Sequence, residues 1–130
     1  MLNTPPIAKF DNDAGISVII GNTERLTTSA SYVKLKEGRI KKAGGFGVYF
    51  TLFNSAGGTN SYGQVFKNGV AFGTERINST TTPTEYGEYL QFDTGDLVQI
   101  YGKRAAGTGN TSISLFSVKG CLDYFDIITD

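Results

Sequence analysis

Few residues in this chain have the type and spacing that chemistry requires. Asp11-Asn12-Asp13 with Gly15 opens like a calcium loop, but no Glu follows at the twelfth position. Gly44-Gly45-Phe46-Gly47 and Gly107-Thr108-Gly109 are glycine-rich. Neither has the Gly-Lys-Ser/Thr ending or the following helix of a phosphate cradle, so both read as turn glycines. Glu85 and Glu88 lie three apart in an extended segment, where faces alternate, and so cannot act as a carboxylate pair. The chain has no His and only one Cys, Cys121. That removes Ser-His-Asp triads, Cys-His dyads, His-bearing zinc sites and any intrachain disulfide. Cys121 beside Leu122 reads as a small buried apolar residue. No enzyme, metal or cofactor is expected.

Two groupings suit binding instead. Tyr62 and the hydroxyl-rich loops around it could stack on sugars and hydrogen-bond them. Lys34, Lys36, Arg39, Lys41 and Lys42 form the one basic cluster, read as a solvated strand face. Lys+Arg 12 against Asp+Glu 12 gives no basic excess, so no nucleic-acid partner is expected. No stretch approaches the roughly 20 apolar residues of a membrane helix. Residues 1–10 lack a signal peptide's basic flank and apolar centre, so synthesis in the cytosol is expected. Asn78-Ser79-Thr80 and Asn110-Thr111-Ser112 then read as polar loop residues, not glycosylation sites.

The elements that position these residues are strands. In a chain of 130 residues, charged residues are 18%, Gly numbers 17, Phe 9 and Tyr 7, which favours strands and turns over helices. Residues 1–15, with Pro5 and Pro6, read as an arm; 16–120 as one β-domain; 121–130 as a tail. Asn68-Gly69 between apolar runs predicts a type I′ hairpin. Roughly eight to ten short strands are expected, as in a two-sheet antiparallel sandwich. Thr23-Glu24-Arg25-Leu26 recurs as Thr74-Glu75-Arg76-Ile77, predicting equivalent edge strands in the two halves with solvent-facing Glu and Arg.

Three strands are apolar on both faces. Val48, Phe50 and Leu52 oppose Tyr49, Thr51 and Phe53; Val98 and Ile100 oppose Leu97, Gln99 and Tyr101; Ile113 and Leu115 oppose Phe116 and Val118. A wet apolar face is rare in soluble monomers, and each large exposed side chain forgoes about 1.5–3 kcal/mol of burial. The expectation is self-association through Tyr49, Thr51, Phe53, Leu97, Gln99, Tyr101 and Phe116; the alternative is cover by the tail.

Gly47-Val48-Tyr49-Phe50, Val65-Phe66-Lys67-Asn68-Gly69, Leu90-Gln91-Phe92 with Gly95-Asp96-Leu97-Val98, and Ser114-Leu115-Phe116 with Gly120 and Leu122 occur in this order. Over about residues 44–122 this resembles the complement globular-head and tumour-necrosis-factor-like jelly rolls. The resemblance implies a jelly roll of about ten strands, a homotrimer and a binding or adhesive head without catalysis. No Gly-X-Y stalk precedes the head. The wider texture, from Thr23-Glu24-Arg25 through the 67–76 and 95–103 segments, is similar to small jelly rolls of bacterial and archaeal viruses. It implies a virion protein, a capsid decoration or fibre head docked on a larger assembly through 1–15 or 121–130. The alternative function is a carbohydrate- or cell-surface-recognition head.

Overall fold

The structure, a computed structural model, describes residues 17–120 and 125–129. The 1–15 arm, the Asp11-Asn12-Asp13 segment and Cys121 lie outside these residues. The strands are β1 (Ser17–Gly21), β2 (Arg25–Thr27), β3 (Val33–Ile40), β4 (Gly44–Asn54), β5 (Ser61–Lys67) and β6 (Val70–Ala71). They continue with β7 (Arg76–Asn78), β8 (Thr84–Phe92), β9 (Leu97–Arg104), β10 (Thr111–Lys119) and β11 (Phe125–Thr129). There is no helix among the described residues.

Two antiparallel sheets form. Sheet I runs β1-β10-β4-β8, with β2 also on β10. Sheet II runs β11-β3-β9-β5-β6, with β7 also on β5. β1 and β2 occupy successive stretches of one edge, as do β6 and β7. With each such pair counted as one interrupted strand, the orders become first-eighth-third-sixth and ninth-second-seventh-fourth-fifth. Every connection except the fourth-to-fifth hairpin, which stays within sheet II, then crosses between sheets, as in a jelly roll. The chain is an all-β jelly-roll sandwich, as the strand pattern predicts. The two Thr-Glu-Arg copies lead into β2 and β7, each an edge strand of its sheet and each opening at the Arg, matching the expected equivalence.

The core lies between the sheets. Val48, Phe50 and Leu52 from β4 meet Val65 from β5, Val98 and Ile100 from β9, and Ile113 and Val118 from β10. Asn68 and Gly69 take positive φ angles of 53° and 83°, and Lys67 pairs with Val70 across the predicted tight turn. Asp96 closes the β8–β9 turn by accepting from the Asp93 backbone N–H, and its other oxygen accepts from Asn68 Nδ2. At the opposite end, Asn78 Nδ2 donates to the Leu52 and Thr82 carbonyls and its Oδ1 accepts from Thr80. Asn78 is thus a buried loop anchor inside the glycosylation triplet.

Two bulges correct the alternation expected from sequence. In β3, Lys34 pairs with Tyr101 and Lys36 with Ile100, so Leu35 is an extra residue. Lys36 therefore turns inward and is 0% exposed, its Nζ donating to the Thr23 carbonyl, instead of lying on a solvated basic face. In β10, Ser114 pairs with Thr51 and Ser117 with Tyr49, with Leu115 at φ 49° between them. Leu115 is pushed out to solvent and Phe116 turned in. Phe116 is 0% exposed in the core and offers no interface surface. Beyond residue 120, the expected tail contributes β11, which pairs along β3 and widens sheet II.

Candidate functional site

The seven residues expected at one subunit interface do not come together. Tyr49, Thr51 and Phe53 stand on the outer face of sheet I, with Thr51 buried. Leu97, Gln99 and Tyr101 stand on the outer face of sheet II, with Gln99 buried. The core lies between these two sets, and Phe116 is inside it.

The outer face of sheet II carries the densest set of chemically capable side chains. Alternation along β5 turns Gly63 and Val65 inward and Tyr62, Gln64 and Phe66 outward. Along β9 it turns Val98, Ile100 and Gly102 inward and Gln99, Tyr101 and Lys103 outward. Register places Gln64 opposite Tyr101, Phe66 opposite Gln99 and Tyr62 opposite Lys103. Phe66 and Tyr101 stack with centroids 3.9 Å apart and planes within 10°. Tyr32, from the loop before β3, packs on Phe66 at 5.4 Å. The Lys103 ammonium lies 4.6 Å from the Tyr32 ring centroid and 5.0 Å from that of Tyr62. Tyr32, Tyr62, Phe66 and Tyr101 are each half-buried, forming a ridge of partly exposed rings.

Polar groups around the ridge are held in place. The Tyr32 hydroxyl donates to Glu75 Oε2 at 2.6 Å, and Lys103 Nζ is 3.8 Å from the same oxygen. Burial, then the hydrogen bond and charge of Glu75, raise the Tyr32 phenol well above its ordinary range. Gln64 Nε2 donates to the Gly73 carbonyl at 2.7 Å. Glu37 accepts from Gln99 Nε2 at 2.8 Å and pairs with Lys34 at 3.0 Å. Burial alone would raise the Glu37 carboxyl. The bonds from Gln99 and Lys34 and the charges of Lys34 and Arg39 outweigh it and hold the carboxyl below its ordinary value. The face therefore pairs fixed aromatic surface with carboxylate, amide and ammonium groups at its rim.

Among the described residues, no three or more His, Cys, Asp or Glu side chains gather where they could hold a metal ion. An open hollow of about 470 Å³ between β2 and β3 is lined by Glu24, Arg25, Leu26, Lys34 and Leu35. Glu85 pairs with Thr51 and Glu88 with Val48, putting the two carboxylates on opposite faces as the spacing requires.

Of the ridge, the sequence singles out Tyr62 as a sugar-stacking residue and Tyr101 as an outward aromatic. Tyr62 lies in β5 and not in a loop. Tyr32, Phe66, Glu75 and Lys103 escape a sequence reading. The alternation of Tyr62, Gln64 and Phe66 is a legible signal that they share a face. Their meeting with β9, and the arrival of Tyr32 and Glu75 from separate loops, is not.

A scan against protein-family models finds no match. A search of curated proteins also finds none. Solved structures share the fold. A family 35 carbohydrate-binding module from an environmental isolate superposes with a TM-score of 0.51 at 11% identity, covering 79% of this chain and 74% of its own. The EclA C-terminal domain, a sugar-binding protein, superposes with a TM-score of 0.50 at 6% identity, covering 80% and 76%. These likenesses agree with the jelly-roll architecture; membership of the complement and tumour-necrosis-factor-like superfamily is not among the findings.

Proposed function

We propose that this protein is a non-catalytic saccharide-binding module whose binding face is the outer surface of sheet II. The observation that carries this reading is the ridge of Tyr32, Phe66, Tyr101 and Tyr62 with Glu75, Lys103, Gln64 and Glu37 fixed beside it. A pyranose ring presents C–H groups on its faces and hydroxyls at its rim. Aromatic rings complement the first through dispersion and their negative π-faces, and carboxylates, amides and ammonium groups complement the second. Prior hydrogen bonding lowers the ordering cost of binding. The architecture shared with carbohydrate-binding modules supports this reading over the virion role implied by the viral resemblance.

The test is affinity electrophoresis through gels cast with soluble β-glucans, xylans, mannans and pectins, run beside a non-binding protein. Retardation in at least one gel, abolished by Tyr101→Ala, is expected. Unretarded migration in every gel, with a blank glycan microarray, refutes the proposal.

A further inference from the structure

The opposite face of the sandwich has a different relief. On the outer side of sheet I, β4 presents Gly45 and Gly47 and β8 presents Gly87, so three positions near one another carry no side chain. Two tyrosines lie down into these gaps. A Cβ at Gly45 would overlap the Tyr89 hydroxyl and Cζ, and one at Gly87 would overlap the edge of the Tyr49 ring. At Gly47 a Cβ would stand only 2.9 Å from Tyr49 Cε1. The rings thus rest against the strands instead of standing up from them. The Lys119 ammonium sits 4.9 Å from the Tyr49 ring centroid. Tyr89 remains 70% exposed despite this seating. Burial does not account for a large aromatic lying flat and open on a glycine floor.

We propose that this shelf is a second saccharide-contact surface, suited to the flat face of an insoluble polysaccharide. Two observations choose the occupant. The Tyr49 ring rests against glycines of two neighbouring strands and the Tyr89 ring reaches over a third glycine, so both lie low on the sheet, a relief that suits stacked sugar faces better than a single flexible chain. The rim residues Gln91 and Glu85 are exposed, and Ser114 is half-exposed, so hydrogen-bonding groups border the rings. The shelf stands on residues separate from the sheet II ridge, so the two proposals fail or succeed independently. If both hold, one molecule can bridge a soluble chain and a solid surface.

The experiment is co-sedimentation of the full chain with microcrystalline cellulose and with chitin powder, run beside the soluble-glycan gels. Tyr89→Ala removes an exposed ring without touching the core. Gly45→Ala keeps the ring but lifts it from its seat. Both variants are expected to lower retention on at least one powder by about fivefold or more, the lower end for one stacked ring, and to leave gel retardation unchanged. Tyr101→Ala is expected to do the reverse. Three results overturn the proposal: no retention of the native chain on either powder, native retention by Tyr89→Ala, or a native oligomer in ultracentrifugation that Tyr89→Ala dissociates.

Discussion

Replacing Tyr101 by Ala removes one member of the tightest ring pair on the sheet II face and leaves the core untouched. Tyr101 stacks on Phe66 at 3.9 Å, and such a pair contributes about 0.5–1.5 kcal/mol beyond its buried area. Losing part of a half-buried ring brings the total to about 1–2 kcal/mol. For a domain of this size that lowers Tm by about 4–8 °C. Ordinary stabilities of about 5–15 kcal/mol leave the variant folded at 25 °C. The binding cost is larger in ratio. By analogy with a base stacked on an aromatic side chain, about 1–3 kcal/mol, loss of one sugar-stacking ring weakens Kd by about 5- to 150-fold. Calorimetric titration with the best saccharide from the gels, and a circular-dichroism melt of the same sample, separate the two effects. Phe66→Leu supplies a second measurement, since it keeps apolar bulk under Tyr101 but ends the stacking. A folded Tyr101→Ala protein that keeps its affinity within about twofold would show that the ridge does not contact sugar.

Phe116→Ala should cost about 3–5 kcal/mol in denaturant unfolding and leave the sedimentation coefficient unchanged, because the ring is in the core and not at a surface. Asn78→Ala strands the Leu52 carbonyl and frees the 80–84 loop, costing about 2–3 kcal/mol by the same assay. Glu37 and Asp96 both have carboxyls held below their ordinary values. For Asp96, burial opposes this but is outweighed by the Asp93 backbone N–H, Asn68 and Lys67. A lowered folded value means the stabilisation is complete above the ordinary carboxylate range near pH 4 and is lost as pH falls through the lowered values. Melts from pH 7 to pH 2 should therefore show a decline below about pH 4, and Glu37→Gln with Asp96→Asn should flatten it.

The sequence alone determined what local physics controls. The Asn68-Gly69 turn follows from two residues tolerant of positive φ. The core faces of β4 and β9 follow from strict alternation, with Val48, Phe50 and Leu52 inside and Leu97, Gln99 and Tyr101 outside. The duplicated Thr-Glu-Arg segments were legible as matched edge strands because short charged segments suit sheet edges. The missing His excluded most catalytic designs without any structure. Tertiary structure decided the rest. Alternation fails wherever one inserted residue reverses parity, and Leu35 and Leu115 are such residues, so Lys36 and Phe116 turned inward against their pattern. Which outward aromatics become neighbours depends on strand order. β5 meets β9 across the intervening 68–96 segment, and only that pairing brings Phe66 to Tyr101 and Tyr62 to Lys103. The same holds on the other face, where cross-strand register seats Tyr89 over Gly45 and Tyr49 over Gly47 and Gly87, the first and second of these glycines reading as turn residues along the chain.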